Sequence, residues 1–340
     1  MTPRTTNADA GPEPETAIQL EHDLSDLILN GILAELSTCH SPHRITEPIT
    51  CPESELRNKH PRDTNIRFEA EGHAYFLKID CQHEIRFPTS VSNVWARYFK
   101  KFDAETVIQK CYNRWCEDPS SKYYENIKEM RRYNVADHKI QARIKKEWAD
   151  TGVIASAQGV HMHRQIELAL GGLEFDVSSL EMQQFVQLVK QVLVPKGYRV
   201  YRTEWAIYDE KVMVAGQLDA LFVDTLGCFH MVDWKRCKRS LDPTLNAPYK
   251  RYGTPPCENL LDTDYVHYSI QQNLYTAILR RCYNIHVSSM TLAQLHPDHE
   301  NFRMIPVPIW QSLADSLLES SALERDPQRA GGEVRPDDLF

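Results

Sequence analysis

VAGQLDALFVDTLGCFHMVDWKRCK, residues 214–238, consists of two apolar, strand-like segments joined around Leu226-Gly227, and it carries charges where core-forming sequence normally has none. Asp219 lies in GQLDALFV, and Asp233 and Lys235 lie in FHMVDWK. Two such segments about a Gly turn read as a β-hairpin, which converges the charges of both strands. Carboxylates brought close repel one another unless a cation lies between them. Mg²⁺ is the natural cation, because hard divalent ions take oxygen ligands and keep waters for substrate phosphates. Lys235 stands two residues from Asp233 and so points to the same side of its strand. An ammonium there can steer or deprotonate a water beside the metal.

The flanking segments add chemistry at regular spacing. Upstream, ASAQGVHMHRQIELAL (155–170) reads as a helix on which His163 and Glu167, four apart, share a face while His161 points elsewhere. Downstream, HYSIQQNLYTAILRR (267–281) is amphipathic, with Tyr268, Ile270, Leu274, Tyr275, Ile278 and Leu279 available to a core and Gln271 four residues before Tyr275. In YRVYRTEWAIYDE (198–210), strict alternation places Tyr198, Val200, Arg202 and Glu204 on one face of a strand. Glu204 then either joins the acids of the hairpin or pairs with Arg202 or a neighbouring lysine.

The order GxxxH (Gly159 to His163), acid (Glu167), GxxD (Gly216 to Asp219), DxK (Asp233 to Lys235), QxxxY (Gln271 to Tyr275) resembles the core of the PD-(D/E)XK nuclease superfamily, in its RecB-type branch. RTEW, IYDE, AGQLD, VDWKR and HYSIQQNLY, with PTSVSNVWARYFKKFDAETVI (88–108) before them, look like a subgroup found in eukaryotes and large DNA viruses and similar to the mitochondrial genome maintenance exonuclease; the likeness covers residues 65 to 310. It implies a restriction-endonuclease-like α/β core and a Mg²⁺- or Mn²⁺-dependent deoxyribonuclease, an exonuclease working on DNA ends or single strands in DNA processing, repair or recombination. By the same resemblance Asp219, Asp233 and Lys235 are catalytic with help from Glu167. His163, Asp219, Asp233, the Trp234 carbonyl and Glu204 hold the metal, while Gln271, Tyr275, Arg236 and Lys238 meet the nucleic acid. Some relatives carry an iron-sulfur cluster on one upstream and three C-terminal cysteines; this chain has only Cys282 after Tyr275, so no cluster is expected. A catalytically silent nuclease fold that binds nucleic acid or protein is the alternative. A zinc hydrolase on His161, His163, His296 and His299 is a third reading, opposed by the failure of HxH on a helix to converge.

Nine cysteines without regular spacing argue against a disulfide framework and for an intracellular setting, nucleus or cytoplasm. No signal peptide, transit peptide, transmembrane segment or membrane partner is expected. The net charge of −8 opposes phosphate binding unless the cations are clustered. Two clusters exist: basic residues between Arg97 and Lys146 interleaved with Trp115, Tyr123, Tyr124 and Tyr133, which read either as a backbone-tracking, base-stacking surface or as solvated helix faces, and a run of Lys235, Arg236, Lys238, Arg239, Lys250 and Arg251. The expected organisation is a disordered tail (1–18), a helix and linker (19–64), an α/β domain with a mixed central β-sheet flanked by helices (65–325) and interrupted by a helical insertion at about 90–150, and a flexible tail (326–340).

Overall fold

The computed structural model describes residues 42–45, 49–51, 53–242 and 251–323; the expected tails, residues 19–41 of the expected helix and linker, and Lys250 lie outside them. In chain order the elements are β1 (Pro42–His43), α1 (Ser54–Arg57), a 3₁₀ turn (Pro61–Asn65), β2 (Ile66–Glu69), β3 (Ala74–Lys78), β4 (Glu84–Arg86), β5 (Thr89–Ser90), α2 (Val91–Ala96), α3 (Ala104–Glu117), α4 (Tyr124–Arg132) and α5 (Asp137–Leu170). There follow β6 (Phe175–Asp176), α6 (Leu180–Leu188) continued by a π turn (Val189–Leu193), β7 (Arg199–Asp209), β8 (Val214–Val223), β9 (Phe229–Arg236), α7 (Asp264–Cys282), β10 (Val287–Leu295), β11 (Arg303–Val307) and α8 (Gln311–Leu323). The class is α/β with a mixed six-stranded sheet flanked by helices.

Among the described residues the chain divides into two compact units, Phe102–His161 and the described parts of His40–Lys101 and Met162–Phe340. In the first, α3, α4 and the start of α5 close on Ile108, Tyr112, Trp115, Tyr123, Ile127, Ile140 and Ile144. The base-stacking reading of this segment fails for Trp115 and Tyr123, which are core residues, the Tyr123 hydroxyl accepting a hydrogen bond from Trp148 Nε1 at 2.6 Å. Several of its cations are spent locally: Arg131 pairs with Asp137 at 2.8 Å and Lys145 with Glu105 at 3.1 Å.

The second unit holds the sheet. β8 is central, antiparallel to β7 along its length and to β9 over Ala220↔Val232 through Val223↔Phe229, while the two residues of β5 run parallel to Val214 and Ala215. β10 lies parallel to β9, and β11 closes that edge, where Pro306 leaves no N–H to recruit another strand. Met231 packs with α2, α7 and α8, while its neighbour Val232 joins Trp234, α6 and the end of α5, so the sheet separates two apolar cores. β2, β3 and β4 form a separate antiparallel three-stranded meander. The third, Glu84–Arg86, is short, charged and exposed, so it shows no alternation to read.

Candidate metal centre

Three adjacent strands each contribute one carboxylate to a single row. The β8–β9 ladder ends at Ala220↔Val232, and the next positions out are Asp219 and Asp233. Like charges directly opposite weaken a strand pair, and here the strands part. The Trp234 N–H, freed from the ladder, donates to Asp219 Oδ2 at 2.8 Å. On the other side of β8, Glu204 and Asp219 lie between the pairs Thr203↔Ala220 and Trp205↔Leu218. Glu204 has φ 45°, a left-handed backbone that non-glycine residues rarely adopt.

That backbone overturns the expected alternation in β7. The ladder shifts register between Val200 and Arg202, and the left-handed turn at Glu204 brings Arg202 and Trp205 together, with the guanidinium 4.5 Å from the indole centroid. Arg202 does not pair with Glu204. Its partner is Asp63 at 2.6 Å, which also accepts from Trp205 Nε1 at 2.8 Å. Glu204 is thereby left to face the row.

His163, Glu204 and Asp219 each offer a ligand atom, all within 4.8 Å of one another. His163 Nδ1 stands 3.5 Å from Glu204 Oε1 and 3.8 Å from Asp219 Oδ2. Its Nε2 lies 3.0 Å from the Trp234 carbonyl. The Trp234 carbonyl therefore orients the imidazole and aims Nδ1 at the carboxylates, the arrangement that usually supports a ligating histidine. The donor set of one imidazole and two carboxylates fits a divalent ion.

Asp233, almost wholly buried, gives its Oδ2 to Lys235 Nζ at 2.7 Å. The ammonium also sits 4.4 Å above the Tyr268 ring and 3.5 Å from Gln271 Oε1. Burial, and then the charge of Asp219, pushes the Asp233 carboxyl up to about 6. Asp219 is likewise raised, chiefly by burial, although His163 and Lys235 draw it down. For His163 burial acts downward, but Asp219 and Glu204 outweigh it and lift the imidazole to about 9. Burial also lowers Lys235, and Asp233 and Asp219 more than reverse this, so it stays an ammonium.

Gln271 connects the lysine to α2 and α7, since its Nε2 donates to Ser92 Oγ at 3.3 Å and to the Tyr275 hydroxyl at 3.2 Å. The glycine of GxxD has a steric cause: a Cβ on Gly216 would stand 2.7 Å from Tyr275 Cε1 and 2.9 Å from Val91 Cγ2. Gly159 has open space in the same position, and no packing explains it.

Two expected participants lie elsewhere. Glu167 shares the His163 face of α5 but pairs with Arg164 at 2.5 Å and is outside the ligand group. Arg236, expected to grip a phosphate, is bound to Glu181 at 2.8 Å with both side chains 10% exposed, because Glu181 in the first turn of α6 needs a buried counter-charge. Lys238 is 77% exposed and pairs with Asp298 only at the surface, where such a bridge is weak. The sequence reading missed Ser92, Tyr268 as a cradle for Lys235, and Tyr75. Burial, with Glu204 and Asp219, raises the Tyr75 phenol. For Tyr268 a signal was present: it precedes Gln271 by one helical turn and so shares its face.

Among the described residues no helix is long and apolar enough to cross a membrane. No family model matches the chain, and no curated protein does. Among solved structures the chain is similar to the crystal structure of SSO0001, at 12% identity over 65% of this chain and 85% of that one with a TM-score of 0.26, a likeness too slight to bear on function.

Proposed function

We propose that this chain is a Mg²⁺- or Mn²⁺-dependent deoxyribonuclease of the PD-(D/E)XK type, a phosphodiesterase acting on DNA ends or single strands in DNA processing, repair or recombination inside the cell. The observation that carries the reading is the cross-strand row Glu204, Asp219 and Asp233, with His163 completing a ligand group and Lys235 held at its end. Three buried or half-buried acids side by side, two of them raised above their ordinary range, are costly for folding alone. A divalent ion bound by His163 Nδ1, Glu204 and Asp219 would relieve that cost and polarise a phosphoryl oxygen.

The protein groups have separable tasks. The Trp234 carbonyl and N–H fix His163 and Asp219. Asp233 anchors Lys235, and the Tyr268 ring and Gln271 keep its ammonium from swinging away. A protonated lysine donates hydrogen bonds and cannot take a proton, so in this state it orients a water or screens the attacked phosphate. Tyr275, packed against Gly216, accepts a hydrogen bond from Gln271 and so helps to hold it.

Incubation of wild type and Asp219→Ala with end-labelled linear, circular and single-stranded DNA, with Mg²⁺, Mn²⁺ or a chelator, tests this. Metal-dependent products with 5′ phosphates from the wild type alone are expected, and resistance of circular DNA marks a need for ends. Binding of DNA without cleavage under every condition would instead favour the silent module.

A further inference from the structure

Glu204 is the one acid of the row whose backbone is strained, and a left-handed non-glycine residue persists only when its surroundings hold it there. The holder is Gln217. Its side-chain Nε2 donates to the Glu204 carbonyl at 3.1 Å and to Glu204 Oε2 at 2.9 Å, using both amide hydrogens on one residue. Gln217 sits two residues before Asp219 on β8, so the same strand face delivers the ligand and the clamp. With Oε2 occupied, Glu204 presents Oε1, the atom 3.5 Å from His163 Nδ1.

We infer that Gln217 is a positioning residue that makes Glu204 a one-oxygen ligand and thereby biases the centre toward small octahedral ions over Ca²⁺; this rests on the metal-site reading above. Mg²⁺ and Mn²⁺ are content with single carboxylate oxygens and retained waters, whereas Ca²⁺ takes six to eight oxygens and often a bidentate carboxylate. Asp219 differs, because the oxygen that accepts from the Trp234 N–H, Oδ2, is the same one that faces His163 at 3.8 Å. A neutral amide suits the task, since it orients the carboxylate without cancelling the charge a cation needs. At Glu210, by contrast, Arg62 supplies the clamp and the charge is lost to it.

The test is calorimetric titration of the full chain with Mn²⁺ and with Ca²⁺, in wild type, Gln217→Leu, Glu204→Ala and the double variant. Removing the clamp is expected to weaken Mn²⁺ binding by roughly 10- to 100-fold, the usual cost of losing a group that orients a metal ligand, while Ca²⁺ binding weakens less, so the preference for Mn²⁺ narrows. In the Glu204→Ala background the Gln217 substitution should have no further effect. An unchanged Mn²⁺/Ca²⁺ ratio in Gln217→Leu, or an equal loss in both backgrounds, overturns the role of Gln217. A wild type that binds neither ion overturns the metal-site reading together with it. Gln217→Met keeps the side-chain length and gives the same readout should the leucine variant fold poorly.

Discussion

β7 carries two acidic groups that both have the geometry of a metal site, His163/Glu204/Asp219 in mid-strand and Asp209/Glu210/Cys282 at its end, yet their electrostatics are opposite. At the end of the strand arginines have filled the role of a cation. Arg281 lies 3.2 Å from fully buried Asp209, Arg62 binds Glu210, and both Arg280 and Arg281 reach Asp315. The Glu210 carboxyl is held below its usual range by the Arg62 hydrogen bond, and burial, reinforced by Asp209, pushes the Cys282 thiol up to about 12, where it is a poor ligand. In mid-strand the counter-charges are one imidazole and one ammonium. Asp219 and Asp233 are raised where Glu210 is lowered. Ligand geometry is therefore common to both groups, and what separates a structural charge cluster from a site awaiting a cation is whether the protein has already supplied the positive charge.

Activity should break this comparison most sharply. Asp219→Ala is expected to lower DNA cleavage on the order of 10³-fold, the scale of losing one preorganised electrostatic element at a reacting phosphate, while Asp209→Ala leaves the rate per folded molecule unchanged. Equal losses in both would erase the distinction.

Stability should move the other way. Asp209→Ala removes a buried carboxylate from the arginine cluster but leaves Arg281, 23% exposed, with Asp315 at 3.7 Å, and should cost about 2 kcal/mol in urea unfolding. Asp219→Asn removes a charge that the fold disfavours, so the metal-free protein should unfold at a higher temperature than wild type; a lower one would show that the row is as self-satisfied as the arginine cluster.

A smaller effect concerns strain. Glycine adopts the left-handed backbone at 204 freely, so Glu204→Gly should stabilise the metal-free protein by about 1 kcal/mol while weakening Mn²⁺ binding. Destabilisation would mean that the Gln217 contacts outweigh the strain.

The smallest change is in pH dependence. His163 is raised from 6.5 to about 9, so its contribution to the metal-free fold is complete below 6.5 and is lost as pH rises through about 9. Asp233 is raised from 3.8 to about 6, so its contribution is complete below 3.8 and is lost as pH rises through about 6. Chemical unfolding across pH 4–10 should show stability falling in these two windows. His163→Gln should lose the upper step, and Asp209→Ala should keep both. Retention of the upper step without His163 would assign it to another group.

The residues legible in the sequence are those placed by periodicity. Asp219, Asp233 and Lys235 follow from strand spacing on a hairpin, and Gln271 and Tyr275 from one helical turn, and in the structure they meet. What could not be read depends on departures from periodicity or on distant partners. The left-handed Glu204 inverts the alternation that seemed to pair it with Arg202, and the true partner of Arg202, Asp63, is 139 residues upstream. Arg236 looked like part of a basic run, but Glu181 claims it from a helix 55 residues away. Glu167 satisfies the helical spacing and still turns to Arg164 one turn before it. The β5 strand, two residues long, has no pattern of its own and exists through its parallel pairing with Val214 and Ala215.

The most direct test of the central claim is anomalous scattering from Mn²⁺-soaked crystals of the wild-type protein. A manganese peak is expected, bounded by His163 Nδ1, Glu204 Oε1 and the Asp219 carboxylate, with none at Asp209, Glu210 and Cys282. A peak in the arginine-bound cluster, or none in the row at Mn²⁺ concentrations that support cleavage, would contradict that claim.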